Sequence, residues 1–305
     1  MDRDILSAIP RSTFVISLTP FTHNGELDRE SLQAHFERLR DSGIGVYVGG
    51  GGSGEAHALA LDEIVEIAEC AVATLKGHVP VRAMGREPRT SAAMVEWANR
   101  VCTTGVDALQ IYSIDPGHGY RPTERELETY FRDILEAVDF PSVVSTHEYN
   151  GFLLPVSLIE CLLQSYGQII GINCTSSNIR YLSEIISVCH GRAEVHVGGP
   201  THALTAMALG ANGFLSSEAN IAPELAGAII ENYVSGDIGA LSSAYRKFMT
   251  LHHMNSQYGS ITAVKASLSI LKLPGGTTTR RPRLPLQPEQ RAAVEEILAD
   301  VGLQP

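Results

Sequence analysis

The sequence predicts a (β/α)8 barrel, the TIM-barrel fold, followed by a C-terminal helical domain. Eight short runs of apolar or β-branched residues recur at roughly 25–35 residue spacing, which is the signature of this fold. A segment with helical periodicity follows each run, and further helical segments continue after the eighth. We therefore predict a barrel in residues 1–221 and a helical domain in residues 222–305.

The eight predicted strands are short runs bounded by polar or glycine residues. An open, doubly wound sheet is the alternative, but it more often has fewer strands and a glycine-rich phosphate fingerprint after the first one. The sequence shows neither feature, so the barrel is favoured. The strands are predicted at Phe14–Leu18, Gly45–Gly49, Val79–Ala83, Ala108–Tyr112, Ser142–Thr146, Ile169–Asn173, Glu194–Gly198 and Gly213–Ser216.

The predicted helices are amphipathic. The segment Asp28–Asp41 places Leu32 and Phe36 on one face, with Asp28 as the N-cap and Gly43 as the stop signal. The same pattern recurs in the later segments, four of which follow the last strand. These segments are Leu61–Leu75, Ser91–Cys102, Ala222–Ser235, Ile238–Met254, Thr262–Leu271 and Pro288–Val301.

Composition narrows the classes of function. The formal net charge of −11 argues against a nucleic-acid-binding surface. No apolar run reaches the ~20 residues that a membrane span needs, and the amino terminus carries acidic residues without a signal-peptide pattern. The five cysteines show no paired spacing of a redox or metal motif. We expect a cytoplasmic protein with neither a nucleic-acid nor a membrane partner.

Several short motifs follow one another in the order and spacing of a known family. They are Thr19-Pro20-Phe21, Asn24-Gly25-Glu26-Leu27-Asp28, Gly51-Gly52-Ser53-Gly54-Glu55, His196-Val197-Gly198-Gly199, Ala208-Leu209-Gly210-Ala211-Asn212-Gly213, Ser216-Ser217-Glu218-Ala219-Asn220 and Val264-Lys265-Ala266. Over nearly its whole length the chain resembles the dihydrodipicolinate synthase / N-acetylneuraminate lyase family. The resemblance implies a barrel with a C-terminal helical domain, a homo-oligomer (a dimer or a tetramer built from dimers), and a small 2-oxo acid such as pyruvate as ligand.

At two positions that the resemblance places in the active site, the chain differs from the family. In the family, the residue after Gly-Ile on the sixth strand is a lysine that forms a Schiff base, and this chain has Asn173 there. A tyrosine on the fifth strand handles protons in the family, and Ser145 stands at its position. An amide cannot form an imine, so the expected mechanism does not use one.

The lysines of this chain offer no obvious replacement. There are only four, and none lies at the carboxyl end of a predicted strand, where barrel active sites are built. Lys265 matches a family lysine that is not the nucleophile. The four are Lys76, Lys247, Lys265 and Lys272.

Other parts of the family site are retained. Gly52 and Ser53 fall in the loop that binds the substrate carboxylate through backbone N–H groups and a hydroxyl. Gly198 keeps the backbone carbonyl after the seventh strand. Tyr120 lies in the loop whose tyrosine reaches into the site of the neighbouring subunit in the family. We expect these residues to bind substrate.

His147 and Asn173 are the candidates for replacement chemistry, together with Ser145 and Ser53. If side chains alternate from Ser145, then His147 points to the barrel mouth, where an imidazole can act as a general base. Asn173 can donate a hydrogen bond to a carbonyl oxygen or oxyanion. A divalent metal on His147, His196, Glu55 and Glu148 is an alternative without a local ligand motif, so we predict neither a metal nor a cofactor.

Three functions remain open from the sequence. The first is a lyase that acts on a small 2-oxo acid or related carboxylate without a lysine Schiff base. The second is a non-catalytic carboxylate-binding or regulatory homologue. The third is a conventional pyruvate-dependent class I aldolase. We favour the first over the second and rank the third last.

Overall fold

The computed structural model of the chain describes residues 11–115 and 117–305. Eight parallel strands form a closed barrel in which each strand neighbours the next in sequence order. This confirms the predicted fold, and helices alternate with the strands and continue beyond the eighth. The strands are β1 Ser12–Ile16, β2 Gly45–Val48, β3 Val81–Ala83, β4 Ala108–Ile111, β5 Ser142–His147, β6 Ile169–Thr175, β7 Glu194–Gly198 and β8 Gly213–Ser216.

All eight predicted runs overlap a strand, and the differences lie at the ends. β5 and β6 run further toward their carboxyl ends than predicted, because their pairing continues from Ser145 opposite Asn173 to His147 opposite Thr175. This extension keeps His147 in regular strand geometry, so its direction follows from the alternation of side chains.

Each of the seven helical segments predicted with bounds overlaps a helix. The carboxylate of Asp28 accepts from the backbone N–H of Ser31 and caps α1 as predicted, and the helix ends at Arg40, one residue before the predicted end at Asp41. The helices are α1 Arg29–Arg40, α2 Leu61–Leu75, α3 Ser91–Val101, α4 Glu124–Ala137, α5 Val156–Ser165, α6 Ile179–Cys189, α7 Ala203–Leu209, α8 Pro223–Ser235, α9 Ile238–Gln257, α10 Ile261–Ile270 and α11 Pro288–Asp300. In the described ranges, none of these helices combines the length and the apolar character needed to cross a membrane.

The described chain divides into two compact units. One contains residues 11–12 and Arg82–Leu215, and the other contains Thr13–Val81 and Ser216–Pro305. Within the second unit, the C-terminal helices bury an apolar cluster together with residues that follow β1 and β8. Its fully or largely buried members include Leu18, Ile221, Leu251, Met254, Ile261, Val264, Leu268, Val294 and Leu298. The domain boundary after residue 221 remains a prediction.

Candidate functional site

Asn173 projects into the barrel interior of the first unit. Its side-chain N–H donates to Oε1 of Gln110 on β4, with the two atoms 2.5 Å apart, and the residue is 3% exposed. β5 lies between β4 and β6, so side chains of these two strands meet only on the inner face of the sheet. The amide of Asn173 is therefore inside the barrel, and Gln110 fixes its orientation.

The alternation on β5 places Ser145 and His147 on the same inner face. Thr146 points the other way, because its hydroxyl is hydrogen-bonded to the Tyr181 hydroxyl of α6 and accepts from the backbone N–H of Leu154. Ser145 lies directly opposite Asn173 in the register of β5 and β6 and is buried. The structure thus brings Asn173, Ser145 and His147 onto one surface.

His147 is a buried imidazole without a hydrogen-bond partner in the described ranges. The residue is 6% exposed, and this lack of a partner applies to both Nδ1 and Nε2. The ring contacts Tyr112 edge-on, with centroids 5.8 Å apart, and Tyr149 at 5.7 Å. Buried polar groups are nearly always hydrogen-bonded, so this one is unusual and suited to a polar ligand.

The electrostatics keep the imidazole neutral near pH 7. Burial lowers the pKa of His147 from its ordinary value of 6.5, and the negative charges of Glu87 and Asp115 oppose that shift. Nε2 lies 3.8 Å from Oε1 of Glu87. A neutral imidazole has one nitrogen with a free electron pair, so His147 is able to accept a proton from a ligand.

Backbone and side-chain hydrogen bonds connect the loops around His147. The N–H of Asp115 donates to the carbonyl of Pro88 at 2.9 Å, which joins the loop after β4 to the loop after β3. The side chain of Asn150, just after β5, donates to the carbonyls of Ser113 and Ile114 at 3.5 and 3.4 Å. These bonds hold the charged and aromatic neighbours of His147 in place.

A second polar layer lies in the interior of the same unit. Arg82 of β3 forms a short ion pair with Glu194 of β7, and both side chains are nearly buried. A Cβ atom on Gly171 would lie 2.7 Å from Cγ of Glu194, so this position on β6 needs glycine. The space beside Gly171, two residues before Asn173, is thus filled by a salt bridge instead of by apolar side chains.

His196 is not a rim residue. The strand register places it opposite Asn173, yet its Nε2 is 2.8 Å from the hydroxyl of Ser12, at the amino-terminal end of β1. Its side chain is fully buried, and this burial lowers its pKa to about 4. His196 is therefore a core residue rather than a partner for a bound ligand.

The metal alternative receives no support from the described ranges. Among these residues no group of three or more His, Cys, Asp or Glu side chains is arranged to hold a metal ion. Glu148 instead accepts hydrogen bonds from the backbone N–H and the hydroxyl of Ser177, at 3.0 and 3.1 Å. Glu55, the remaining candidate ligand, forms an ion pair with Lys265 in the second unit.

In the second unit, the glycine loop after β2 has a fixed shape. A Cβ on Gly54 would lie 2.6 Å from the backbone nitrogen of Gly50, and the Gly54 carbonyl accepts from the hydroxyl of Thr19 at 2.7 Å. Gly52 is exposed and Ser53 is buried beside it. The loop that carries the two residues predicted to bind a carboxylate is thus held by close packing and by a hydrogen bond.

Lys265 of α10 is buried and fully engaged. Its Nζ donates to the carboxylate of Glu55 at 2.6 Å and to the carbonyls of Thr19 and Thr278, each at 2.7 Å. An ammonium has three donors, and these three acceptors use them all. Burial lowers its pKa to about 8, against the opposing charge of Glu55. The geometry assigns this lysine to holding loops together.

None of the other lysines lies on a strand either. Lys76 is the C-cap of α2, Lys247 lies within α9, and Lys272 follows the end of α10. Together with the position of Lys265 on α10, this means that no lysine of the chain is presented by a barrel strand. The positions expected from the sequence agree with the structure.

Tyr120 and Gly198 are the remaining residues predicted to bind substrate. Tyr120 is 51% exposed, and its hydroxyl donates to Glu126 at 2.6 Å within the same chain. Gly198, at the end of β7, lies against the Thr175 side chain, since an added Cβ would fall 1.8 Å from Oγ1 of Thr175. Their roles in substrate binding stay predictions.

Two residues at the site were missed by sequence reasoning. Gln110 falls within a predicted strand, but nothing in the sequence pairs it with a residue two strands away. Glu87 lies in a loop, and its approach to His147 depends on how the loops after β3 and β4 are joined. The only local signal was a polar side chain at an inward position of β4.

Comparison with known proteins agrees with this architecture. The model of the dihydrodipicolinate synthetase family matches residues 10–301. The 4-hydroxy-tetrahydrodipicolinate synthase of Agrobacterium fabrum is 30% identical over 298 residues, which is 94% of this chain and 96% of that protein. The synthase of the same name from Natronomonas pharaonis is 27% identical over 290 residues, again 94% of this chain and 96% of its own length.

Solved structures show the same fold. A prophage protein of the dihydrodipicolinic acid synthase family from E. coli K12, in complex with pyruvate, superposes with a TM-score of 0.88 at 22% identity and covers 96% of this chain and 99% of its own. Dihydrodipicolinate synthase from Aquifex aeolicus gives a TM-score of 0.88 at 24% identity, with 96% and 98% covered. The match of the family model over nearly the whole length settles the assignment: this chain belongs to the dihydrodipicolinate synthetase family.

Proposed function

We propose that the protein is a lyase that acts on a small 2-oxo acid or a related carboxylate without forming a lysine Schiff base. The observation that carries the proposal is the inward-facing amide of Asn173, held by Gln110, at the position where the family resemblance expects the imine-forming lysine. An amide nitrogen shares its electron pair with the carbonyl, so it does not add to a ketone.

The names of the relatives favour a conventional synthase, which would need a reactive lysine elsewhere. Lys265 is the lysine with a lowered pKa, and a lowered pKa is one mark of a nucleophilic amine. Its three hydrogen bonds and its ion pair with Glu55 argue against that role. Moving its amine to a substrate would leave the carboxylate of Glu55 buried without its cation, at high energetic cost.

The proposed chemistry uses hydrogen bonds in place of the imine. For cleavage of a 4-hydroxy-2-oxo acid, His147 takes the proton of the hydroxyl group as the C3–C4 bond breaks. The bond electrons pass to the ketone and generate an enolate, while the hydroxyl-bearing carbon leaves as an aldehyde. Asn173 donates a hydrogen bond to the enolate oxygen, and the protonated His147 returns its proton to C3.

A carbon–oxygen lyase would use the same residues. His147 would remove a proton from the carbon beside the carbonyl, and Asn173 would stabilise the enolate. As the enolate electrons form the carbon–carbon double bond, the C–O bond would break and the protonated His147 would give its proton to the hydroxyl, which leaves as water. Because hydrogen bonds stabilise an enolate less than a protonated imine does, substrates with an acidic C–H or a good leaving group suit this site best.

Substrate binding and assembly follow from the resemblance. We propose that Ser53 and Gly52 cradle the carboxylate, and that Gly198 and Tyr120 complete substrate binding. We expect no nucleic-acid or membrane partner, a cytoplasmic location, and a homo-oligomer of two or four chains. Light scattering on the purified protein tests the assembly, and a mass of one chain at micromolar concentration contradicts it.

The function is tested by turnover of a panel of 2-oxo acids, with cleavage, hydration and decarboxylation each followed with and without a divalent metal. We expect the wild type to show saturable turnover. His147→Ala should lower kcat by a factor of about 100 or more. The control His190→Ala, at an exposed position, should keep the wild-type rate. Thermal stabilisation by these acids without any turnover would instead favour the non-catalytic carboxylate-binding alternative.

A further inference from the structure

We infer that Glu87 is a positioning residue for His147: its carboxylate approaches Nε2 and accepts from Nε2–H during the reaction, so that Nδ1 is the nitrogen that takes the proton from substrate. This inference deepens the proposed function and rests on it for the role of the proton. The effect of Glu87 on the pKa of His147 can be measured without any turnover.

The distance and the burial of the pair carry the inference. Oε1 of Glu87 lies 3.8 Å from Nε2 of His147, and the ring is buried with neither nitrogen hydrogen-bonded among the described residues. This separation exceeds that of a hydrogen bond, which is about 2.7–3.2 Å between nitrogen and oxygen. Forming the bond therefore requires the Glu87 carboxylate to move toward Nε2.

The other groups around the ring are less suited than Glu87 to accept a hydrogen bond from it. Tyr112 and Tyr149 present aromatic rings to His147. Asp115 acts on the imidazole through its charge, but one of its carboxylate oxygens already accepts from the N–H of Gly117 at 3.1 Å. Thr175 faces His147 in the strand register and bears no charge. Glu87 is thus the carboxylate aimed at the ring.

The two carboxylates of the site have separate effects. Glu87 comes within ion-pair distance of Nε2, whereas Asp115 contributes a more distant charge. When His147 accepts a proton, the new positive charge lies in a largely buried position, where an uncompensated charge is costly. A hydrogen bond from Nε2–H to Glu87 offsets that cost, and it leaves Nδ1 on the opposite side of the ring for the substrate.

The position of Glu87 is supported by its loop. The neighbouring residue Pro88 accepts a backbone hydrogen bond from Asp115 at 2.9 Å, so the loop after β3 is held against the loop after β4. Glu87 is partly buried, with 29% of its side chain exposed. Its side chain is therefore not enclosed by packing on every side.

The pair is tested by a proton NMR titration of the histidine ring signals, with the His147 signal identified by its loss in His147→Ala. In Glu87→Gln we expect the pKa of His147 to fall by about one unit, because an opposite charge at this distance favours the imidazolium. Glu87→Asp should restore part of the shift. The control Glu128→Gln, on the surface of α4, should leave the His147 signal unchanged.

Turnover gives a second measurement. If a 2-oxo acid is cleaved, Glu87→Gln should lower kcat about tenfold with little change in KM and should move the acidic limb of the pH profile with the NMR pKa. An unchanged His147 pKa in Glu87→Gln, with the fold intact by thermal unfolding, overturns the pairing even if the wild type is active. A shifted pKa with no turnover by any variant supports the pairing and counts against the proposed function alone.

Discussion

Asn173 on β6 donates a hydrogen bond to Gln110 on β4 across the inner face of the strand between them. This bond joins two neutral amides where the family resemblance expects a reactive amine. Both partners are buried, and the donor of one amide meets the acceptor of the other. The interior of the barrel therefore accommodates the amide at position 173 without leaving its N–H group unpaired.

Returning a lysine to the sixth strand should return part of the family chemistry. Asn173→Lys places an amine in the buried interior, where desolvation lowers its pKa and favours the nucleophilic form. We expect pyruvate and borohydride to add a covalent adduct to the introduced amine, located by mass spectrometry of the peptide that contains position 173. Asn173→Gln, of similar size and without an amine, should give no adduct. Absence of an adduct in Asn173→Lys would show that β6 does not present position 173 to ligand.

Gln110 should contribute to stability as well as to the site. Gln110→Ala leaves the buried amide of Asn173 without this partner, which costs about 1–3 kcal/mol in the free energy of unfolding. Gln33→Ala, which removes a surface hydrogen bond to Glu37 on α1, should change it by less than about 0.5 kcal/mol. Urea unfolding compares them. Equal stabilities of the two variants would show that the interior bond is not a stabilising contact.

Lys265 should prove to be a structural residue. Lys265→Met leaves the carboxylate of Glu55 buried without a cation, and breaking such a pair costs about 3–5 kcal/mol. Lys247→Met, on the exposed face of α9, provides the matched control with little change. Thermal unfolding distinguishes them. A Lys265→Met protein as stable as the control, but unable to bind pyruvate, would instead assign this lysine to the active site.

Acid should destabilise the protein through its buried histidines. The pKa of His196 is lowered to about 4 and that of His35 to about 3, in both cases mainly by burial. Between the unfolded value of about 6.5 and these folded values, the unfolded chain binds more protons. The contribution of each neutral histidine is therefore complete above about pH 6.5 and declines as the pH falls towards its folded pKa.

His252 should have the opposite dependence. Its hydrogen bond to Glu218 raises its pKa, so its contribution to stability is complete below about pH 6.5 and is lost as the pH rises through the raised value.

The acid-side prediction is tested on His196. The free energy of unfolding, measured from about pH 4.5 to 8, should decline more gently on the acid side in His196→Gln than in the wild type. Identical slopes would show that His196 does not titrate differently on unfolding.

The architecture could be predicted from the sequence because the strands and helices are encoded by local patterns. The alternation from Ser145 also gave the direction of His147, which lies on β5 as that pattern requires. Contacts between distant parts of the chain could not be predicted from the sequence. The bond from Asn173 to Gln110 spans 63 residues, and the approach of Glu87 to His147 depends on loops whose shapes no local pattern encodes.

Helix caps and buried ion pairs also differ in how far they could be predicted from the sequence. Asp28 could be predicted as an N-cap because its partner, Ser31, lies three residues away. The role of Lys265, in contrast, required knowledge of Glu55 and Thr19, which lie over two hundred residues before it. The sequence indicated that this lysine is not on a strand, and the structure shows which loops it joins instead.

Whether this barrel handles its substrate without a lysine Schiff base is tested most directly by mass spectrometry. The wild-type protein is incubated with pyruvate and borohydride, and the 4-hydroxy-tetrahydrodipicolinate synthase of Agrobacterium fabrum is treated in parallel. We expect no adduct on any lysine of this chain. A stable mass increase mapped to Lys265, or to any of the other three lysines, would contradict the proposed mechanism.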